Sequence, residues 1–321
     1  MNDIAAVITV YNQPLRSTLL SLASAALQQG CDVKVLVADD CSSSDHSATF
    51  KNFLAYVGAR SFEIVRARSN LKTVANIKNA LGSADAPYVK CFGSGDLLYA
   101  RHTLLDIIEH LSNGSAPSGF GEIRVYQSGQ RNGARFRAPR AARLYQGDSP
   151  ALRRRLLREQ LLKADWIPGG SQFFSTDLLE RLLSILSEQC HVRYCEDFAM
   201  TLQLFESMPS YLQSPVLWYE FGGGISSSGN SSSVKRMYLD HTNFYREVAR
   251  QRPYGSRYAI PSLMFGVRRA IALYTPVYGL LQRRCAASYV SPEGDAPLNQ
   301  FFFECQETVD RFLSAQTEAL I

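Results

Sequence analysis

The sequence predicts an α/β fold: a mostly parallel central sheet with helices on both faces. Short β-branched apolar runs at residues 4–10, 33–38, 62–65 and 87–92 alternate with helical spacing at 15–29, 45–57 and 73–83. Such alternation places strands side by side in parallel, with the connecting helices covering them. Ligands of such sheets sit beyond the carboxyl ends of the strands, so the polar residues just after each strand are the candidates for chemistry.

Beyond Arg101 the rhythm loosens. Residues 119–126 read as a strand, 131–163 as an arginine-rich stretch, 171–174 as a short apolar strand and 176–186 as a helix with Thr176 or Asp177 near its cap. Residues 216–219 lead into a low-complexity turn, GGGISSSGNSSS at 222–233. From Val234 onward the pattern is helical, punctuated by Pro253, Pro261, Pro276 and Pro292. The expected organisation is therefore a domain over residues 1–230, with halves at 1–100 and 101–230, followed by a helical C-terminal extension over 231–321.

Composition narrows the class. The chain has 321 residues, 46% hydrophobic and 20% charged, which is ordinary for a folded globular protein. A net charge of +5 suits anionic ligands without selecting one. Seven cysteines, an odd number without a C-x-x-C pair, read as reduced thiols, and Cys190 and Cys195 lack the second pair that a zinc site needs. Residues 1–7 lack the basic region and long apolar core of a signal peptide. The apolar run between Arg269 and Arg283 would reach only about 20 Å as a helix, short of a roughly 30 Å hydrocarbon core. The expected location is cytoplasmic, at the inner face of the cell membrane. Nucleic acid is not an expected partner, because no aromatic and basic interleaving accompanies the arginines.

Three constellations carry chemistry. The first strand ends in Thr9-Val10-Tyr11-Asn12 and the second in Asp39-Asp40, followed by a serine-rich turn to Asp45. Adjacent carboxylates at a strand end are costly unless they meet donors. Asp40 is read as accepting from a nucleoside while Tyr11 stacks on it, and Asp45 as a turn or helix cap. The fourth strand runs into Gly93-Ser94-Gly95-Asp96, where a carboxylate suits Mg²⁺ or Mn²⁺ shared with a diphosphate. Glu196-Asp197 opens a helical stretch, which admits either dipole-favoured capping or a general base. No G-x-G-x-x-G or G-x-x-x-x-G-K motif follows the first strand, which disfavours other nucleotide enzymes.

The run VITVYN, then VLVADDCSSSD, then NLKTVANIKNA, then YVKCFGSGD resembles the family 2 glycosyltransferases of the GT-A fold. Residues 168–174, the Glu196-Asp197 pair and Gly223-Gly224-Ile225-Ser226 extend the resemblance to about residue 230. The resemblance implies an inverting transferase. It would take a nucleotide-sugar donor, a UDP-sugar foremost, and a glycan or polyprenyl-diphosphate-linked acceptor in cell-surface polysaccharide synthesis. It implies that Thr9, Tyr11, Asn12, Asp40, Asn76 and Gly95 surround the nucleotide. Asp96 would coordinate the metal, Asp197 would be the base, and Glu196 would orient the base or the acceptor. Lys235 and Arg236 either fold over the diphosphate or begin a solvated helix.

One departure stands out. The family usually carries two adjacent acids in the metal turn, where this chain has Gly95 before Asp96. That departure keeps open an alternative, a catalytically inactive homologue that binds sugar nucleotides as a sensor or scaffold. The arginines between Arg131 and Lys163, and the stretch flanked by Arg268, Arg269, Arg283 and Arg284, suit either a solvated face or peripheral contact with anionic membrane.

Overall fold

The computed structural model describes residues 2–114, 116–126, 132–137, 142–163, 166–220, 231–251 and 296–318. Strand β1 (Ile4–Val10) is almost wholly buried and leads to helix α1 (Leu15–Ala26). Strand β2 (Val33–Asp39), helix α2 (Ser47–Tyr56), strand β3 (Ser61–Arg66), helix α3 (Thr73–Leu81) and strand β4 (Tyr88–Gly93) follow. β1 pairs in parallel with β2 on one side and with β4 on the other, and β2 pairs in parallel with β3. The expected parallel sheet is present, with strand ends within a residue or so of the apolar runs.

A two-residue strand β5 (Leu97–Leu98) and helix α4 (Thr103–Asn113) come next. Helix α4 is not among the expected elements, although Leu104, Ile107 and Leu111 mark one buried face at helical spacing. Strand β6 (Ser118–Tyr126) precedes the arginine-rich stretch, and strand β7 (Asn132–Arg137) and helix α5 (Pro150–Lys163) lie within it. Strand β8 (Gln172–Ser175), helix α6 (Thr176–Ser184) and helix α7 (Phe198–Glu206) precede a long strand β9 (Ser210–Glu220). Only the end of β9 was legible beforehand, because Gln213, Ser214 and Pro215 interrupt the apolar pattern where its register against β6 shifts. β8 pairs antiparallel with both β4 and β6, while β9 runs parallel to β6 and antiparallel to β5. The sheet is thus mixed, with its parallel half at the N-terminal side.

Helix α8 (Ser231–Gln251), strand β10 (Ala296–Pro297) and helix α9 (Gln300–Glu318) complete the described chain. β10 pairs with β7, so the C-terminal region adds a short strand to the expected helices. Helix α9 shares the core of the first half of the chain. Phe302 is 1% exposed and meets Trp218 and Tyr126 edge-on, while Phe312 meets Phe53 at 5.0 Å. An Arg101–Glu304 pair meets its N-terminal part and a bidentate Arg16–Asp310 pair its middle. The loop 222–230 and the stretch flanked by Arg268, Arg269, Arg283 and Arg284 lie outside the described residues. Among the described residues, no helix is long and apolar enough to cross a membrane.

Since Phe302 is buried between Trp218 and Tyr126, Phe302→Ala should cost about 3–5 kcal/mol of stability, measured by denaturant unfolding. A loss under 1 kcal/mol would mean that α9 is not part of the core.

Candidate active site

The carboxyl ends of β1, β2 and β4 open onto a cleft of about 390 Å³. Asp40, Asp96, Glu196 and Asp197 all line it, although they come from distant parts of the chain. Thr9, Tyr11, Asn76 and the turn Pro168-Gly169-Gly170 line it as well. Tyr11 is 45% exposed at the rim, and the Thr9 hydroxyl donates to the Phe92 carbonyl at 3.4 Å.

The Asp39-Asp40 pair survives burial because each carboxylate has its own donors. Asp39 pairs with Arg66 and accepts from the Ser42 N–H at 2.9 Å. Asp40 accepts from the backbone N–H groups of Leu71 and Lys72. Burial raises the Asp40 pKa, and those same N–H groups oppose the rise. Asp40 therefore latches the segment before α3 while facing the cleft. Lys72 adopts a φ of 72°, an unfavoured conformation outside glycine, and its ammonium lies 6.0 Å from the ring centre of Tyr194, which also lines the cleft. Asn76 donates to the Ala38 carbonyl at 2.8 Å, and its Oδ1 is buried without a hydrogen bond. Asn12 turns aside: its Oδ1 accepts from Ser43, in a separate hollow beside the cleft. Asp45 accepts from the Ser47 N–H at 2.9 Å, the capping role expected of it.

The turn bearing Asp96 is held from three sides. The Ser21 hydroxyl of α1 donates to the Asp96 carbonyl and accepts from the Gly95 N–H, Ser94 shares a hydrogen bond with Thr18, and the Tyr126 hydroxyl donates to the Gly95 carbonyl. Asp96 is 7% exposed, and its Oδ1 accepts from the Glu220 N–H at 2.9 Å. Burial pushes its pKa up to about 7, against the N–H groups of Glu220 and Gly93. A buried carboxylate at the cleft wall offers the hard oxygens that Mg²⁺ or Mn²⁺ takes. Among the described residues, no group of three or more His, Cys, Asp or Glu side chains encloses an ion, so water and ligand oxygens would complete its shell.

Glu196 and Asp197 stand at the start of α7, and the Asp197 carboxylate makes no capping hydrogen bond there. Burial holds both carboxyls above their usual range, with the Asp197 charge adding to the rise at Glu196 and the Asp240 charge adding to that at Asp197. The Gly169-Gly170 turn fits between the acids. A Cβ on Gly169 would fall 2.5 Å from Glu196 Oε1, and one on Gly170 would fall 3.7 Å from Asp96 Oδ2. Beneath the turn, the fully buried Lys90 ammonium donates to the carbonyls of Gly170 and Gln172, and burial lowers its pKa to about 7. Cys91 and Cys195 also line the cleft, but burial pushes Cys91 up to about 12 and raises Cys195, so both thiols stay neutral at physiological pH. Cys190 and Cys195 are buried and lie outside any disulfide among the described residues.

Sequence reasoning missed Glu220, Lys90 and Asp240. A lysine inside the apolar run 87–92 was the available signal for Lys90. Nothing local marks Asp240, a buried residue of α8 whose Oδ2 accepts from the N–H groups of Arg193, Tyr194 and Cys195. It clamps the loop that delivers the acid pair, and Phe198, stacked on Phe244 at 4.2 Å, fixes the following turn. On the same helix Met237 lines the cleft and Arg236 is exposed beside it. The Lys235 side chain lies outside the described residues.

The profile of glycosyl transferase family 2 matches residues 5–183, more than half of the chain. No curated protein matches significantly. Among solved structures, S. aureus TarS is similar with a TM-score of 0.53 and 15% identity, over 86% of this chain and 45% of that one. The chain therefore spans less than half the length of that relative. TarS 1–349 in complex with UDP-GlcNAc is similar with a TM-score of 0.52 and 15% identity, over 86% of this chain and 74% of that one. The mannosyltransferase PcManGT from Pyrobaculum calidifontis, in complex with GDP-Man and Mn²⁺, is similar with a TM-score of 0.51 and 15% identity, over 99% of this chain and 87% of that one. These likenesses establish the GT-A fold.

Asp240→Ala would leave three backbone N–H groups without their charged acceptor. It should lower stability by about 2–3 kcal/mol and speed hydrogen exchange at residues 193–195. Unchanged exchange at those amides would remove the clamp.

Proposed function

The chain belongs to glycosyl transferase family 2, and from that premise we propose the reaction it runs. It is an inverting transfer of a sugar from a nucleoside-diphosphate sugar, a UDP-sugar foremost, to a hydroxyl of a glycan or lipid-linked acceptor in cell-surface polysaccharide synthesis. The observation that carries this reading is the convergence of Asp40, Asp96 and Asp197 on one cleft. The nucleotide sugars in the TarS and PcManGT complexes support a donor of that class.

Residues 1–100 hold the donor in this reading, and 101–230 the acceptor. Tyr11 stacks on the base at the cleft rim, and Asp40 keeps spare lone pairs for an imide N–H after accepting from Leu71 and Lys72. The unpartnered Asn76 Oδ1 offers a further acceptor. Thr9 and Gly95 border the same nucleotide, and Asn12 contributes by fixing the Ser42-Ser43 loop. Lys235 and Arg236 give cationic cover to the diphosphate. Asp96 would hold a Mg²⁺ or Mn²⁺ ion, which would supply Lewis-acid neutralisation of the diphosphate charge when bound.

Asp197 removes the proton from the acceptor hydroxyl as its oxygen attacks the anomeric carbon. The bond from that carbon to the diphosphate oxygen breaks on the opposite face, and the diphosphate leaves with the electron pair. The transition state is oxocarbenium-like, and the configuration inverts. Glu196 orients the base from its seat against Gly169. Burial and the Asp197 charge hold the Glu196 carboxyl above its usual range. The exposed Arg154 and Arg155 of α5 suit contact with anionic headgroups at the inner face of the membrane.

A thermal-shift panel of sugar nucleotides with Mn²⁺ identifies the donor by mass action. With that donor, Asp197→Asn should lower nucleotide release by about 10²–10⁴-fold while calorimetry shows unchanged donor affinity. Turnover equal to the parent would exclude Asp197 as the base. The parent should also lose turnover as pH falls, with a midpoint above the roughly 4 of a free carboxylate. The sign follows because burial favours the protonated, inactive form of Asp197. A midpoint at or below 4 would contradict this.

A further inference from the structure

We propose that Glu220 supplies a second carboxylate for the divalent cation held by Asp96, in place of the acid missing from the Gly93-Ser94-Gly95-Asp96 turn. This rests on the proposed metal-assisted transfer and names a ligand that the sequence comparison does not reach.

The two residues are 124 positions apart and meet because β9 pairs with β5, Leu97 facing Trp218. That register delivers the last residue of β9 to the metal turn. The Glu220 N–H donates to Asp96 Oδ1 at 2.9 Å, so backbone geometry rather than a flexible side chain sets the juxtaposition. The Glu220 carboxylate lies directly over Gly95. A Cβ built there would fall 2.1 Å from Glu220 Oε2 and 3.2 Å from its carboxyl carbon. Gly95 has a φ of +99°, so that position is closed to a side chain twice over, by backbone conformation and by the Glu220 carboxylate. Glycine at 95 and glutamate at 220 are parts of one arrangement: the acid has moved from the turn to the strand facing it.

The charge here points to a ligand. Asp96 is more than nine-tenths buried and lines the cleft, and backbone N–H groups rather than a cationic side chain meet its carboxylate. Glu220 lines the same cleft. Two carboxylates facing one cleft repel unless a cation lies between them. The nearest buried cation, Lys90, directs its ammonium to the Gly170 and Gln172 carbonyls. The Tyr126 hydroxyl donates to the Gly95 carbonyl, and burial raises its pKa further, so it brings no charge of its own. A doubly charged ion with hard oxygen preference is the chemistry that relieves this pair.

The test titrates Mn²⁺, with and without uridine diphosphate, into the parent, Asp96→Asn, Glu220→Gln and Glu220→Asp, following free Mn²⁺ by electron paramagnetic resonance. Thermal melts check folding, and uridine diphosphate affinity is also measured without metal. Loss of an outer-shell partner already costs a metal about 10-fold or more, so Glu220→Gln should weaken Mn²⁺ binding at least that much. Glu220→Asp, which keeps the charge, should retain most of the affinity. Mn²⁺ binding lost in Asp96→Asn but intact in Glu220→Gln would overturn the role of Glu220 and leave that of Asp96 standing. An equal loss of metal-free uridine diphosphate binding in Glu220→Gln would also overturn it, by making Glu220 a nucleotide contact. Absence of Mn²⁺ binding by the parent in either condition would overturn this inference together with the metal part of the proposed reaction.

Discussion

Everything in the site depends on keeping several carboxylates close together in a partly dry cleft. Burial and like charge both work against ionising Asp96, Glu196 and Asp197, and the chain counters them by supplying backbone donors and close packing rather than balancing side-chain charge. Asp96 receives the Glu220 N–H, and Asp240 is spent on the loop before Glu196. The Gly169-Gly170 turn sits between the two acid groups, so close to Glu196 that a side chain at 169 would clash with its carboxylate. Lys90 secures that turn from below through carbonyls, so its position matters more than its charge.

The same constraint explains why distant segments are drawn in. α8 presents Asp240 to the acid-pair loop and Phe244 to Phe198. α9 buttresses the other side through Phe302, against Trp218 of β9 and Tyr126, whose hydroxyl steadies the Asp96 turn. The C-terminal segments thus belong to the machinery that aims the carboxylates. Asp40 is the comparable device at the β2 end of the cleft, tying Leu71 and Lys72 into place beneath the rim occupied by Tyr11.

Much of this was legible in the residues. β1, β2 and β4 announce themselves because both faces are buried, so their apolar runs are unbroken, and the acids that matter stand where those runs stop. The parts that were not legible share a physical cause: they are set by pairing between distant segments. β9 is half exposed along much of its length and its register shifts against β6, which hides the strand that carries Glu220. Asp240 reads as one more polar residue of an amphipathic helix until the fold brings it to Arg193, Tyr194 and Cys195. The Gly-Ser-Gly-Asp turn looked impoverished in sequence because its neighbour lies on another strand. Asn12 looked like a nucleotide contact because it follows Tyr11, yet a φ of 52° turns it into the serine loop.

The central claim is that one cleft holds both the departing nucleotide and the base. Diffraction from crystals soaked in uridine diphosphate and Mn²⁺, recorded at the manganese edge, tests it most directly. The account predicts an anomalous peak at Asp96 and Glu220, with the base between Tyr11 and Asp40 and the Asp197 carboxylate facing the outer phosphate. Nucleotide density on another surface, with this cleft holding only water, would contradict it.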